Sequence, residues 1–300
     1  MISIAMATYN GSTFIQQQIN SILSQSYSDF ELIICDDCST DNTWNLLNEF
    51  ASEDSRIHCY QNEKNLGCKK NFEKVISLCS RQYIALADQD DEWTPNHLEY
   101  LFNEIEDYQI ICGCASIIDE NNNLTTKTLN DLNFVDFIPN QSIEKAYRIF
   151  FNSNIYQGAS MLIQRDFLKY ALPIPEDVKF HDAWFAALAS CFNEKGLKSI
   201  HKIITKHRRH STNTSKPLSW EKKFSFYYRR CPKLVDRITM AENIKKRLPH
   251  LPQKTKLLLN NIFTYYQRRQ NKFGRIINFF FRLRHYKLVY TTKNKLYFEL

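Results

Sequence analysis

Apolar positions in the first hundred residues follow two alternating rhythms. Short runs that are apolar almost throughout, at 2–7, 30–35, 57–60 and 83–86, predict strands. Between them Ile15, Ile19, Ile22 and Leu23, then Leu46, Leu47 and Phe50, then Phe72, Val75, Ile76 and Cys79 recur at helical spacing. Strands without polar alternation are buried on both faces, so the pattern predicts a mostly parallel sheet with right-handed crossovers and helices on both sides. A fourth helix is expected to open at Thr94, a good N-cap, and Pro95, a good first helical residue, and to carry Leu98, Leu101, Phe102 and Ile105. Further strands are expected at 110–118, 157–163 and 197–204, with a polar connection over 119–140 and a hydrophobic helix opening at Phe180-His181-Asp182. The segment 206–215, Lys-His-Arg-Arg-His-Ser-Thr-Asn-Thr-Ser, is expected to be a loop, and 216–300 to be mostly helical.

Composition adds a size and a compartment. Three hundred residues that are 43 % hydrophobic can fill a complete core. The first residues lack the basic flank of a secretory leader, and no run approaches the roughly 18 apolar residues of a membrane span. Nine cysteines without paired spacing suggest reduced thiols in a cytoplasmic protein. Charge changes the picture more. Residues 216–300 hold 21 Lys and Arg against four Asp and Glu, whereas the first 215 hold 18 against 28. An acidic part and a strongly basic part share one chain.

Ligands of a parallel sheet bind beyond the carboxyl ends of its strands, which directs attention to the residues that follow each strand. These are Thr8-Tyr9-Asn10-Gly11, then Asp36-Asp37-Cys38-Ser39-Thr40-Asp41, then Asn62 to Gly67, then Asp88-Gln89-Asp90-Asp91-Glu92-Trp93. Loops of this kind are polar by default, and Asp41 serves as a helix cap. Tyr9, however, offers an aromatic face for a base, and Asp37 an acceptor for a ring N–H. Asp88 and Asp90 repel each other unless a cation lies between them, and hard oxygen ligands suit Mg²⁺ or Mn²⁺. No glycine-rich phosphate loop is present, so the charge of a bound diphosphate has to be met by such a cation. A nucleotidyltransferase would need such a loop near its N-terminus, and Asn10-Gly11-Ser12-Thr13 is a poor substitute; a non-catalytic sugar-nucleotide-binding subunit is the other alternative.

The run Ile2-Ser-Ile-Ala-Met-Ala-Thr-Tyr-Asn-Gly, the segment from Gln18 to Asp37 and Asp88-Gln-Asp-Asp-Glu-Trp-Thr-Pro together resemble the inverting family 2 glycosyltransferases. The likeness covers about residues 1–215. It implies the GT-A fold, with a nucleotide-sugar-binding half (1–108) and an acceptor-binding half (109–215), followed by a basic, aromatic helical appendage (216–300). It implies that Thr8, Tyr9 and Asp37 contact the nucleoside beside Asn10, that Asp88 faces the ribose, and that Asp90 holds the cation. In that family an acidic residue at the start of the helix near 181 is the general base, which gives Asp182 this role, although an Asp in a first helical turn is by default a cap. His181 is then the neighbour expected to touch sugar, acceptor or leaving group. The segment around 206–215 resembles a donor-covering loop of rhamnosyltransferase-like members. There His210 would be a metal or diphosphate ligand and Arg208 or Arg209 a phosphate clamp. The resemblance suggests dTDP-rhamnose or a UDP-hexose as donor and a surface polysaccharide or lipid-linked glycan as acceptor.

In the basic region Trp220, Phe224, Phe226, Tyr227 and Tyr228 lie among Lys222, Lys223, Arg229 and Arg230, and Ile276 to Phe281 lies between Arg275 and Arg282. Such helices either pack their aromatics on the catalytic domain or lie on anionic lipid at the cytoplasmic face of the inner membrane. No nucleic-acid-binding motif accompanies the charge, so nucleic acid is not expected as a partner.

Overall fold

The computed structural model describes residues 1–132, 139–151, 154–211, 213 and 234–268, together with Gly274, Ile277, Asn278 and Phe280. The nucleotide half follows the predicted alternation: β1 (Ile2–Thr8), α1 (Ile15–Leu23), β2 (Phe30–Asp36), α2 (Thr43–Glu53), β3 (Ile57–Gln61), α3 (Cys68–Leu78) and β4 (Tyr83–Asp88). Next come β5 (Glu92–Trp93), α4 (His97–Glu104), β6 (Ile110–Asp119), β7 (Leu124–Thr128), α5 (Leu129–Leu132), α6 (Ser142–Phe151), β8 (Met161–Gln164), α7 (Leu168–Ala171), α8 (His181–Phe192), β9 (Leu197–Arg209), α9 (Leu234–Arg247) and α10 (Gln253–Arg268).

The strands form one sheet in the order β3-β2-β1-β4-β8-β6-β9-β5, with β7 paired to β6 outside that path. Strands β3, β2, β1 and β4 are mutually parallel, β8 runs antiparallel between β4 and β6, and β9 is parallel to β6. The period-two alternation of a strand sends successive side chains to opposite faces. Ile4 and Met6, Leu32 and Ile34, and Ala85 and Ala87 pack under α1, α2 and α4, while Ala5, Ile33, Cys35, Ile84 and Leu86 pack under α3, α6 and α8. Strands β1, β2 and β4 are therefore covered on both faces, as their unbroken apolar runs require, while β3 lies at the sheet edge with Ile57 buried and His58, Tyr60 and Gln61 exposed.

Tertiary pairing moved several predicted boundaries. Strand β9 extends through Arg209, because Ser116 to Asp119 pair with Lys206 to Arg209; residues 206–209 are strand, not loop. The helix after the acidic stretch opens at His97 rather than at Thr94. The N–H and the hydroxyl of Thr94 both reach the Ile204 carbonyl, at 3.0 and 3.1 Å, which ties residue 94 to β9. Part of the connection over 119–140 folds back as β7. Helix α6 had no counterpart in the predicted elements, although Ile149 and Phe150 give it a buried face.

Helices α9 and α10 occur where helices were expected, and they close the core instead of standing beside it. Met240, Ile244, Leu248, Leu258 and Ile262 share one apolar cluster with α6 and α8. Arg247 lies 5.1 Å from the Trp184 ring centroid and donates to the carbonyls of Tyr170 and Ala171 at 3.3 and 3.1 Å. Trp220, Phe224, Phe226, Tyr227 and Tyr228, and Arg275, Ile276, Phe279, Phe281 and Arg282, lie outside the described residues. Among the described residues all eight cysteines are free, and no helix is long and apolar enough to cross a membrane.

Because α9 completes the same core as α8, Ile244→Ala should lower the stability of the whole domain by about 2–5 kcal/mol in a single transition. Urea unfolding followed by tryptophan fluorescence and far-UV dichroism checks this; an early, separate transition confined to helical signal would contradict the shared core.

Candidate active site

The loops at the carboxyl ends of β1, β2, β3 and β4 form one hydrogen-bonded unit. Asn10, held at φ 48°, accepts the Thr40 N–H on its side-chain oxygen at 2.8 Å, and its own N–H donates to the Ser39 hydroxyl at 2.8 Å. This joins the first loop to the second. Asp37 joins the second to the third: one carboxylate oxygen accepts from the Asn62 amide and the Leu66 N–H, both at 2.7 Å, and the other from the Gly67 N–H at 2.8 Å. Gln89 joins the first to the acidic turn. Its side-chain oxygen accepts the Tyr9 N–H at 2.8 Å while its NH₂ donates to the Tyr9 carbonyl at 3.0 Å. The side chain passes so close to Gly11 that a Cβ there would lie 2.4 Å from the Gln89 oxygen. A side chain at residue 11 would push the Gln89 amide off the Tyr9 backbone.

The acidic turn is braced from the end of β9. Asp91 is fully buried, and one of its oxygens lies 2.9 Å from His207 Nδ1 and accepts the Arg208 N–H at 3.1 Å. His210 Nε2 lies 2.8 Å from an oxygen of Asp90, and the Asn213 amide donates to the same oxygen at 3.3 Å. Three carboxylates within four residues are electrostatically expensive. Burial, then Asp91 and Asp90, push the Asp88 carboxyl well above the ordinary range; burial and Asp91 likewise raise Asp90, against the hydrogen bond from His210. Burial disfavours a charge on His207, but Asp91, with Asp88 and Asp90, outweighs it and pushes the imidazole up to about 9.

Asp182 approaches from the other half, in the first turn of α8. Its charge is felt at Asp88, and at Cys68, the first residue of α3. Desolvation within the cleft, then Asp88, Asp182, Asp37 and Asp90, push the Cys68 thiol up to about 12. Cys68 thus marks the point where the nucleotide loops, the acidic turn and the α8 terminus meet.

A family model described as glycosyl transferase family 2 matches residues 3–171. The chain belongs to this family. The UDP-Glc:alpha-D-GlcNAc-diphosphoundecaprenol beta-1,3-glucosyltransferase WfaP of Escherichia coli is 40 % identical over 93 residues, covering 31 % of this chain and 36 % of that protein. Most of the curated relatives are matched over little more than a third of their length. Among solved structures, TarS of S. aureus in complex with UDP-GlcNAc superposes with a TM-score of 0.61 at 15 % identity, over 89 % of this chain and 72 % of that one. The mannosyltransferase PcManGT of Pyrobaculum calidifontis, in complex with GDP-Man and Mn²⁺, gives a TM-score of 0.57 at 13 % identity, over 93 % and 71 %. At such identities the likeness establishes the fold, which is the GT-A type.

Within this family fold the expected site residues divide into two groups. Tyr9 is 46 % exposed, and Asn10, Asp88, Asp90, Asp182 and Arg209 also remain open to solvent at least in part. Four others point inward. Thr8 is buried, with its hydroxyl donating to Asp36 at 3.1 Å. Asp37 is buried and anchors the third loop. Arg208 is not placed as a phosphate clamp: its guanidinium is buried 4.8 Å from the Phe14 ring centroid, donating to the Asp90 and Asp119 carbonyls and to Asn122. His181 is not a cleft-facing contact either. It is stacked on Phe72 at 4.0 Å and wedged against Gly158, where a Cβ would lie 2.9 Å from its Nε2, and burial holds it down at about 4, so it is neutral.

Sequence reasoning missed Gln89, the Asp91–His207 pair and Cys68. Spacing gave no signal for them, because Gln89 and Tyr9 lie 80 positions apart, Asp91 and His207 116, and Cys68 meets its neighbours only through the fold. Among the described residues no group of three or more His, Cys, Asp or Glu side chains is already gathered as a metal site. The donor set nevertheless fits a hard cation: Asp88 and Asp90 both carry raised carboxyls that a positive charge would relieve.

The His207–Asp91 pair makes stability depend on pH. Its contribution is complete below the ordinary histidine value of about 6.5 and is lost as pH rises through about 9, with a ceiling of about 3 kcal/mol. Thermal melts from pH 6.5 to 9.5 should therefore show a falling midpoint for the parent protein, and a lower, flatter curve for His207→Gln. Parallel curves would contradict the pairing.

Proposed function

We propose that the chain is an inverting, metal-dependent glycosyltransferase that moves a sugar from a nucleoside diphosphate to a hydroxyl group of a surface polysaccharide or lipid-linked glycan precursor. The observation that carries this proposal is the meeting of Asp182 with Asp88 and Asp90 around Cys68 in a family 2 chain. A sugar nucleotide spans such a site from end to end. The exposed ring of Tyr9 stacks on the base, and Asn10 borders it, on loops held in place by Asp37. Asp88 faces the ribose. Asp88 and Asp90, with His210 beside them, are the residues that would hold Mg²⁺ or Mn²⁺, which neutralises the leaving diphosphate when bound. Arg209, whose guanidinium is not buried under the turn, is the cation left for the phosphates.

Asp182 lies in the first turn of α8, where its carboxylate accepts the N–H of Ala183 at 2.6 Å and faces the positive end of the helix dipole. It takes the proton of the acceptor hydroxyl as that oxygen attacks the anomeric carbon from the face opposite the diphosphate, which inverts the configuration. The relative WfaP is named for transfer from UDP-Glc to a lipid-diphosphate-linked sugar. This supports UDP-glucose beside dTDP-rhamnose as a donor to test, and a lipid-linked acceptor. A cytoplasmic site at the inner membrane follows from such an acceptor. Lys245, Lys246, Lys254 and Lys256 are exposed around the α9–α10 turn beside Leu257, which is 61 % exposed, a composition that suits anionic lipid.

Release of nucleoside diphosphate from a panel of UDP-, GDP- and dTDP-sugars should require Mn²⁺ or Mg²⁺ and stop with chelator. Asp182→Asn and Asp90→Ala should each lower kcat by 10²-fold or more. Full activity in both variants would refute the site, and binding without turnover would favour a non-catalytic subunit.

Sedimentation with vesicles containing phosphatidylglycerol at low salt should be lost when Lys245, Lys246, Lys254 and Lys256 are changed together to Glu. Undiminished binding would assign this basic surface to solvent.

A further inference from the structure

Helix α3 leaves the nucleotide half at Cys68 and grips the segment that leads into Asp182. The Lys69 ammonium lies 3.2, 2.5 and 3.2 Å from the main-chain carbonyl oxygens of Pro175, Glu176 and Val178. An ammonium has three protons, and three carbonyls of one short turn face it. The same helix holds this segment at three more points. The Ile174 N–H donates to the Glu73 carboxylate at 2.9 Å, Lys70 pairs with Glu176 at 2.9 Å, and Phe72 stacks on His181 at 4.0 Å. Residues 174–181 are therefore fixed chiefly through backbone atoms, and Asp182 is the next residue. The partners lie more than a hundred positions apart, so the contact joins the two halves of the fold directly beside the site.

We infer that Lys69 is a positioning residue: it fixes the path of 174–181 and so sets where Asp182 stands relative to a donor held by the loops of the other half. Lys69 touches no reacting atom, and its effect rests on Asp182 being the base. A clamp of this kind acts on the alignment of base and donor, so its loss appears in kcat and not in donor affinity. Misplacement by a fraction of an ångström to one ångström is enough for a 10- to 100-fold effect.

The test uses the full chain and the nucleotide sugar that turns over fastest in the panel above, with Mn²⁺. Lys69→Met should lower kcat 10- to 100-fold while the donor KM, and the calorimetric affinity for the matching nucleoside diphosphate, stay within about twofold. Lys69→Arg, which keeps the charge and several donors, should recover part of kcat at an unchanged melting temperature, which separates alignment from folding. Parent-like kcat in Lys69→Met overturns the inference, as does a loss confined to KM or one that follows the melting temperature in both variants. Asp182→Asn is measured alongside. If it is inactive while Lys69→Met is fully active, the clamp alone fails; if Asp182→Asn is active, the base assignment fails first.

Discussion

Three carboxylates at the end of one strand set the terms for the rest of this molecule. Asp88, Asp90 and Asp91 follow a buried strand into a turn where each raises the cost of charging the others. The chain answers with positive and donating groups delivered from far away in sequence. His207, the Arg208 N–H, His210 and Asn213 all reach the turn from the end of β9 and the residues just after it. That requirement explains why β9 is the longest strand, why it runs through a segment that looks like a basic loop, and why a two-residue strand at Glu92–Trp93 pairs with it. The site and the second half of the sheet are one electrostatic solution.

The same logic orders the seam between the halves. Several of the polar residues at the meeting point are buried and hydrogen-bonded, so that the cleft surface is supported by a buried layer. Asp36 and Asp37 anchor loops, Arg208 braces the acidic turn, and His181 is a neutral ring between Phe72 and Gly158. Tyr9, Asp88, Asp90 and Asp182 stand on that layer. Helices α9 and α10 extend the support from behind, because they cover the faces of α6 and α8 that would otherwise be bare. A basic C-terminal region thereby has two sides, one closing the core and one carrying Lys245, Lys246, Lys254 and Lys256.

Much of this was legible in the chain. Nearly unbroken apolar runs located the first four strands and period-3.6 patterns the three helices between them, and the topology rule then identified the loops that matter. Element ends were less legible. Thr94 carries every local mark of a helix cap, but the Ile204 carbonyl, 110 positions away, takes its N–H and hydroxyl instead. Residue type alone also cannot separate a polar group that faces a ligand from one that holds the floor beneath it. Asp37 and Asp90 look equivalent in the sequence; only their partners distinguish an anchor from an open carboxylate. Asp91 and His207, or Lys69 and Val178, become neighbours solely through the sheet order, so no local pattern could have paired them.

Gln89 illustrates how narrow such a position can be. A motif written as two aspartates around a free residue leaves this place blank, yet here its amide both accepts from and donates to the backbone of Tyr9, over a glycine that yields to it. A glutamate would keep the length but lose the donor and add a fourth negative charge. Asparagine would be one methylene short of the Tyr9 backbone, and any larger side chain would collide at Gly11. The middle letter of the motif is thus a hinge pin: through it the strand that presents the aromatic ring and the turn that presents the carboxylates keep a fixed spacing.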